Sequence, residues 1–127
     1  MVEYSKEQNL FTDFSMTSNG TLLTKDKVDF LVNNNMGLML SCDGDKLTQD
    51  YNRPTKNGTS SFNLLYPNLN YIISQFPNIK FRSTLIPKTA QYIFDNIMFA
   101  KDQGFKNIQI EINQFEEWPK EIRETVN

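Results

Sequence analysis

The stretch Asn107-Ile108-Gln109-Ile110-Glu111-Ile112-Asn113 alternates apolar and polar residues along its length. On a strand this sends Ile108, Ile110 and Ile112 to one face and Gln109, Glu111 and Asn113 to the other. Parallel strands covered on both faces read instead as continuous apolar runs. The pattern recurs upstream, where Ile79, Phe81 and Leu85 oppose Lys80, Arg82 and Thr84. A barrel accounts for it: the apolar face meets a shell of helices and the polar face lines a lumen. Half-exposed strands of a small mixed sheet would give the same alternation.

Working outward, four strand-like runs alternate with helix-like stretches. The first run is Phe11 to Met16, closed by Thr17-Ser18-Asn19-Gly20. Thr24 then suits an N-cap, Asp26 the first turn, and Val28, Leu31 and Val32 recur at helical spacing. Asn33 to Gly37 ends that helix, and Gly37 to Cys42 is the second strand. Residues 45–60 read as a polar loop holding Arg53-Pro54 and Asn57-Gly58. A helix is predicted over Ser61 to Phe76, with Pro67 kinking it or delaying its start to about Asn63. The third strand is Ile79 to Ile86, stopped by Pro87. Thr89 caps a long helix, Ala90 to Gln103, ended by Gly104 with Phe105 as its hydrophobic partner. The alternating stretch is the fourth strand, and Pro119 opens a last helical piece.

The order β-α-β-α-β-α-β at this spacing predicts parallel strands joined by right-handed crossovers. A doubly wound sheet shares that order. The strand faces favour an α/β partial parallel (β/α) barrel of about four βα units, with residues 1–127 as a single domain.

Composition narrows the chemistry. The 127 residues carry 13 Lys+Arg against 15 Asp+Glu, one Cys and no His. A formal charge of −2 gives no electrostatic footprint for nucleic acid or an anionic membrane. A lone Cys without His excludes an intramolecular disulfide, a Cys/His zinc site, and a Ser-His-Asp or Cys-His nucleophile within this chain. Ten Phe, five Tyr and one Trp befit a folded core. No apolar run reaches a membrane span and Met1 to Glu7 lacks a signal-type apolar region, so a soluble, cytoplasmic protein is expected.

Several strand ends carry turn residues where α/β folds bind ligands: Asn19-Gly20, Asp43-Gly44, Thr84 and Asn113. Taken singly, each reads first as a turn. Cys42 reads as a small core hydrophobe. Asp45, Asp50, Glu111, Glu116 and Glu117 match no metal-loop spacing, and no glycine-rich phosphate loop is present.

Together these segments resemble a family. Phe14-Ser15-Met16-Thr17-Ser18-Asn19-Gly20-Thr21-Leu22-Leu23 is similar to the TNGTLL strand-turn of radical SAM enzymes. Leu40-Ser41-Cys42-Asp43-Gly44 resembles their SxDG motif one βα unit later. Asp50-Tyr51-Asn52-Arg53 with Asn57-Gly58-Thr59-Ser60-Ser61-Phe62 follows their hD..R…G.GSF stretch. Phe81-Arg82-Ser83-Thr84-Leu85 and Phe99 to Phe105 also fit. The match covers about residues 10 to 115, and its nearest subgroup is the SPASM type, which includes anaerobic sulfatase-maturing enzymes.

The resemblance implies a partial (β/α)6 barrel in which a 4Fe–4S cluster on a CxxxCxxC loop cleaves S-adenosylmethionine. The four strands here correspond to that barrel's third to sixth. The cluster loop has no counterpart in this sequence. By resemblance, Ser41 and Asp43 contact the ribose or methionyl end of S-adenosylmethionine, with Asn19 at the neighbouring strand end. Arg82 is placed for the carboxylate, and the backbone around Ile110 and Ile112 for the adenine. The implied function is a segment of a radical SAM enzyme, inactive alone for lack of cluster ligands. The alternative is a non-catalytic nucleoside-binding or protein-interaction module. Expected partners are a complementing barrel half or a second copy at the open sheet edges, with no nucleic acid and no membrane.

Overall fold

A computed structural model describes residues 13–114 and 117–118 of the chain. Four strands, β1 (Ser15–Ser18), β2 (Gly37–Ser41), β3 (Lys80–Leu85) and β4 (Asn107–Ile112), form one parallel sheet in the order β1-β2-β3-β4. The helices between them are α1 (Lys25–Asn33), α2 (Lys46–Asn52), α3 (Ser61–Gln75) and α4 (Ile93–Gln103). Each strand pairs with the next in sequence, so crossovers of one hand place the helices on one face of the sheet. This is an arc of (β/α) barrel, not a doubly wound sheet.

One level of the ladder runs Ser18, Leu40, Phe81, Ile108. Ser18 ends β1, whereas Ile108 is only the second residue of β4. β1 and β2 begin level, as do β3 and β4, and an offset of about two residues falls between β2 and β3.

The core lies between sheet and helices. Val28 and Leu31 of α1, Leu38 and Leu40 of β2, Leu65, Leu69 and Ile72 of α3, Phe81 of β3 and Ala100 of α4 are all buried. Phe81 and Phe105 meet edge to face, their ring centroids 5.3 Å apart. The opposite face carries Thr17, Met39, Ser41, Lys80, Arg82, Thr84, Gln109 and Glu111 by strand alternation. The predicted faces of β3 are observed: Phe81, Ser83 and Leu85 are buried, and Lys80, Arg82 and Thr84 are not. β4 is less covered, with Ile108 and Ile112 each 39% exposed on the helix side.

Several boundaries differ from the sequence reading. Among described residues the first strand begins at Ser15, and Phe11 lies outside them. The stretch read as a polar loop contains α2, capped by the Asp45 side chain, which accepts from the Thr48 amide. Its buried residues, Thr48 and Gln49, are polar, so no apolar period marks it. α3 starts at Ser61, not Asn63, because Ser60 Oγ accepts from the Asn63 amide and fixes the first turn. Pro67 is exposed, as is Asn63 one turn earlier, so the carbonyl deprived of its donor faces water. Thr89 does not cap a long helix: a 3₁₀ turn, Ala90–Tyr92, precedes α4, and the Thr89 hydroxyl goes to Asn52. Gly104 does end α4 with φ +103°, and the Phe105 amide returns to the Ala100 carbonyl. The helical piece expected from Pro119 lies outside the described residues.

Candidate functional site

The C-terminal ends of β1, β2 and β3 carry the turns flagged in the sequence. After β1, Asn19 Oδ1 accepts from both the amide and the hydroxyl of Thr21, closing an Asx turn at the surface. Gly20 follows with φ +78°. A Cβ there would stand 2.4 Å from Leu65 Cδ1 and 2.9 Å from Leu40 Cδ1, so the backbone itself fills the space over the core. Asn68 of α3 clasps the turn by donating to the Gly20 carbonyl at 2.9 Å.

After β2, Asp43 is buried beneath the strand ends, 1% exposed. Its Oδ2 accepts from Arg53 Nε at 2.7 Å and its Oδ1 from the Thr84 amide at 2.8 Å. Its own amide donates to Gln49 Oε1, and its carbonyl accepts from Ser83 Oγ. Gln49 Nε2, also buried, has no partner among the described residues. Asn52 extends the stitch, donating to the Thr84 carbonyl and accepting from Thr89. Asn96 of α4 accepts from the Asp45 amide and donates to Thr48 Oγ1, and it lies so close to Gly44 that a Cβ there would be 2.2 Å from its Oδ1. Asp43 therefore ties β2 to β3 and α2, and its carboxylate is occupied within the protein.

The remaining candidates divide in two. Ser41 and Arg82 are ladder partners on the polar face, side by side on β2 and β3. Arg82 Nη2 lies 3.6 Å from Glu111 Oε1, which also accepts from Gln109 Nε2 at 2.9 Å, and Nη1 lies 3.7 Å from Met39 Sδ. An Arg–Glu pair this exposed (30% and 58% of the side chains) holds little energy. It leaves guanidinium donors free to turn to an incoming carboxylate. Ile110 and Ile112 lie on β4 with side chains toward the helices, Ile110 against Trp118 and Leu85. The Asn113 amide bonds to the Leu85 carbonyl. By alternation the N–H groups of Ile112 and Ile110 point to the open edge of the sheet.

The structure thus brings Ser41, Arg82 and Glu111 together, sets Asn19 on the turn above β1, and puts Asp43 below as a clamp. Sequence reasoning passed over Gln49, Asn52, Asn68 and Asn96 as site supports. The Asp45-x-x-Thr48 spacing was a capping signal that could have marked α2. A concavity of about 300 Å³, lined by Leu38, Gln75, Phe76, Pro77, Asn78 and Ile79, lies at the N-terminal ends of β2 and β3. It holds no titratable group and sits at the end away from these residues.

Iron–sulfur chemistry finds no fit here. The chain has one Cys, Cys42 is fully buried, and burial pushes its thiol up to about 12. Among the described residues, no three His, Cys, Asp or Glu side chains gather as metal ligands. No helix among them is long and apolar enough to cross a membrane.

No protein-family model matches the chain, and no curated protein sequence matches it. Solved structures do. The anaerobic sulfatase-maturating enzyme anSMEcpe, a radical SAM enzyme described as native with bound AdoMet, is 23% identical with a TM-score of 0.78. That alignment covers 93% of this chain and 33% of that one. The same enzyme with bound AdoMet and Cp18Cys peptide gives 0.78 at 23% identity, covering 93% and 34%. The chain spans about a third of the length of these structures. At this identity the likeness establishes the fold alone, an arc of parallel (β/α) barrel.

Proposed function

We propose that residues 1–127 are a single domain forming one wall of an S-adenosylmethionine site, and that this chain binds the nucleoside without cleaving it. Support comes from the fold, since the neighbours that superpose on 93% of the chain are described with bound AdoMet. The TNGTLL- and SxDG-like segments fall on the turns that end β1 and β2. The observation that carries the reading is the pairing of Ser41 with Arg82, side by side on the polar face of the sheet.

In this reading Arg82 takes the methionyl carboxylate by exchanging its weak bond to Glu111 for a charge-assisted one. The Ser41 hydroxyl and the Asn19 turn meet the ribose or methionyl end. The backbone N–H groups of Ile110 and Ile112 offer donors to adenine. Asp43 acts through the backbone it holds, fixing the end of β2 against β3. Reductive cleavage needs an electron from a cluster that this chain's single buried Cys cannot ligate, so binding is the activity assigned.

Titration calorimetry of S-adenosylmethionine into the chain should give saturable heat, weakened roughly tenfold by Ser41→Ala. Absence of heat together with absence of a thermal shift overturns the reading. Anaerobic reconstitution with iron and sulfide should leave no cluster absorbance and no 5′-deoxyadenosine on adding reductant.

A further inference from the structure

The tripeptide Asn-Gly-Thr occurs twice, as Asn19-Gly20-Thr21 and as Asn57-Gly58-Thr59. The two turns have nearly the same local geometry. The threonine amide donates to the asparagine Oδ1 at 3.1 Å in the first and 3.4 Å in the second, and the threonine hydroxyl donates to it at 2.9 Å in both. The glycines have φ of +78° and +77°. A turn of this kind folds the side-chain carbonyl back over the glycine peptide. The glycine nitrogen then lies inside the ring that the hydrogen bond closes, and with no Cβ on the glycine its approach to the asparagine Cγ is unhindered.

What surrounds the two turns differs. Gly20 is buried against Leu65 and Leu40 of the core. Its amide donates to Ser18 Oγ at 3.0 Å, and its carbonyl is held by Asn68 of α3. That backbone cannot shift without giving up core contact and the Asn68 bond together. Asn57, Gly58 and Thr59 are all exposed, and nothing stands within 4 Å of the point where a Gly58 Cβ would lie. The Gly58 amide donates to the Thr55 carbonyl at 3.2 Å within the same surface loop, where water replaces that bond at little cost.

We propose that Asn57 is a site of spontaneous deamidation, and that the fold protects Asn19 from the same reaction. The Gly58 nitrogen gives up its proton and attacks Asn57 Cγ. A bond forms between them, the bond from Cγ to Nδ2 breaks, and Nδ2 leaves as ammonia carrying that proton. The Thr59 hydroxyl donates to Oδ1, where negative charge gathers during the attack. Water then opens the resulting succinimide at either of its two carbonyls, which yields aspartate or isoaspartate. No oxidant or reductant takes part. The product places one further negative charge in the loop that leads into α3 and leaves the turn above β1 intact. This step rests on the surroundings of the two turns and not on the cofactor reading.

The whole chain is incubated at mildly alkaline pH, folded in one series and unfolded in urea in another. Peptide mapping by mass spectrometry follows both asparagines in each sample, and an isoaspartyl methyltransferase reports isoaspartate. In urea the two asparagines should convert at closely similar rates, since each is followed by Gly-Thr. In the folded chain Asn57 should convert at least about tenfold faster than Asn19, because opening the Gly20 turn gives up the Asn68 bond as well as packing. Gly58→Ala should slow Asn57 about tenfold by crowding the attacking nitrogen, with circular dichroism confirming the fold. Equal rates at Asn19 and Asn57 in the folded chain overturn the proposal. So does an Asn57 that stays intact, an Asn57 rate that ignores Gly58→Ala, or conversion to aspartate with no isoaspartate, which would bypass the succinimide.

Discussion

Arg53 Nε donates to Asp43 Oδ2 at 2.7 Å, and through that contact a residue at the end of α2 holds a carboxylate buried between β2 and β3. The Asp43 side chain is 2% exposed and that of Arg53 33%, so one partner is dry and the other is at the rim. Removing Arg53 leaves a buried carboxylate with the Thr84 amide as its remaining close donor. Breaking such a pair from one side costs more than the pair itself contributes, because the orphaned charge stays buried. With the rim position discounted, Arg53→Leu should lower stability by about 2–3 kcal/mol. The double variant with Asp43→Ala should recover part of that loss. Urea unfolding of both singles and the double measures the coupling. A loss under about 0.5 kcal/mol for Arg53→Leu would mean that the clamp does not hold the strand ends.

Gly20 tests the turn above β1. Alanine there meets two separate costs. A φ of +78° is disfavoured for any residue with a Cβ. The new methyl also lands 2.4 Å from Leu65 Cδ1, inside the packed core. The summed penalty is about 2–4 kcal/mol. Gly58 supplies the control, since it has φ +77° and nothing within 4 Å of the point where a Cβ would stand. Gly58→Ala should lose only the backbone part, about 1 kcal/mol. Thermal melts of the two variants separate strain from overpacking, and equal losses would show that the Leu65 contact relaxes freely.

How much of this was legible follows from which forces leave a period in the sequence. The alternation of Phe81 and Leu85 against Lys80, Arg82 and Thr84 is a burial pattern, and the structure repeats it residue by residue. Gly104 and Phe105 announced the end of α4 because the cap needs a left-handed residue followed by an apolar one. α2 left only the cap at Asp45 and no apolar period. Its buried side chains, Thr48 and Gln49, satisfy Asn96 and Asp43 by hydrogen bonds, and a polar residue buried by bonding looks like one left in water. The same holds for Asp43: the sequence put it at a strand end but could not tell a ligand-facing carboxylate from one consumed by Arg53. Ser41 and Arg82 lie 41 positions apart, and their pairing appears only once the register is set.

Asp50 predicts an acid limb. Its carboxylate accepts from the Phe62 amide, Ser60 Oγ and Lys46 Nζ, and so organises the start of α3. Partial burial raises its pKa, but these three donors together outweigh that and hold it below the ordinary 3.8. A carboxyl depressed on folding adds stability that is fully present above the unfolded value. That stability drains away as pH falls through 3.8 toward the folded value. Asp50→Asn keeps one acceptor and loses the titration. The wild-type chain should therefore lose stability more steeply below about pH 4 than the variant does, with the two curves converging at lower pH. Urea midpoints along a pH series check this. Parallel curves would assign the acid sensitivity to other carboxylates.

Arg82 separates a binding role from a structural one. Its pair with Glu111 is long at 3.6 Å and exposed, so cutting it should leave stability within about 0.5 kcal/mol of wild type. If the guanidinium takes the methionyl carboxylate, Arg82→Ala should weaken S-adenosylmethionine binding by about tenfold or more, since a charge-assisted bond is worth about 1.5–3 kcal/mol. Arg82→Lys keeps the charge and loses the two-pronged geometry, so it should restore only part of the affinity. Glu111→Gln removes the competing carboxylate and should tighten binding slightly. Calorimetry on the three variants gives the order Glu111→Gln, wild type, Arg82→Lys, Arg82→Ala from tightest to weakest. Equal affinities for wild type and Arg82→Ala, with stability unchanged, would remove Arg82 from the site and leave the polar face of β3 without an assigned ligand.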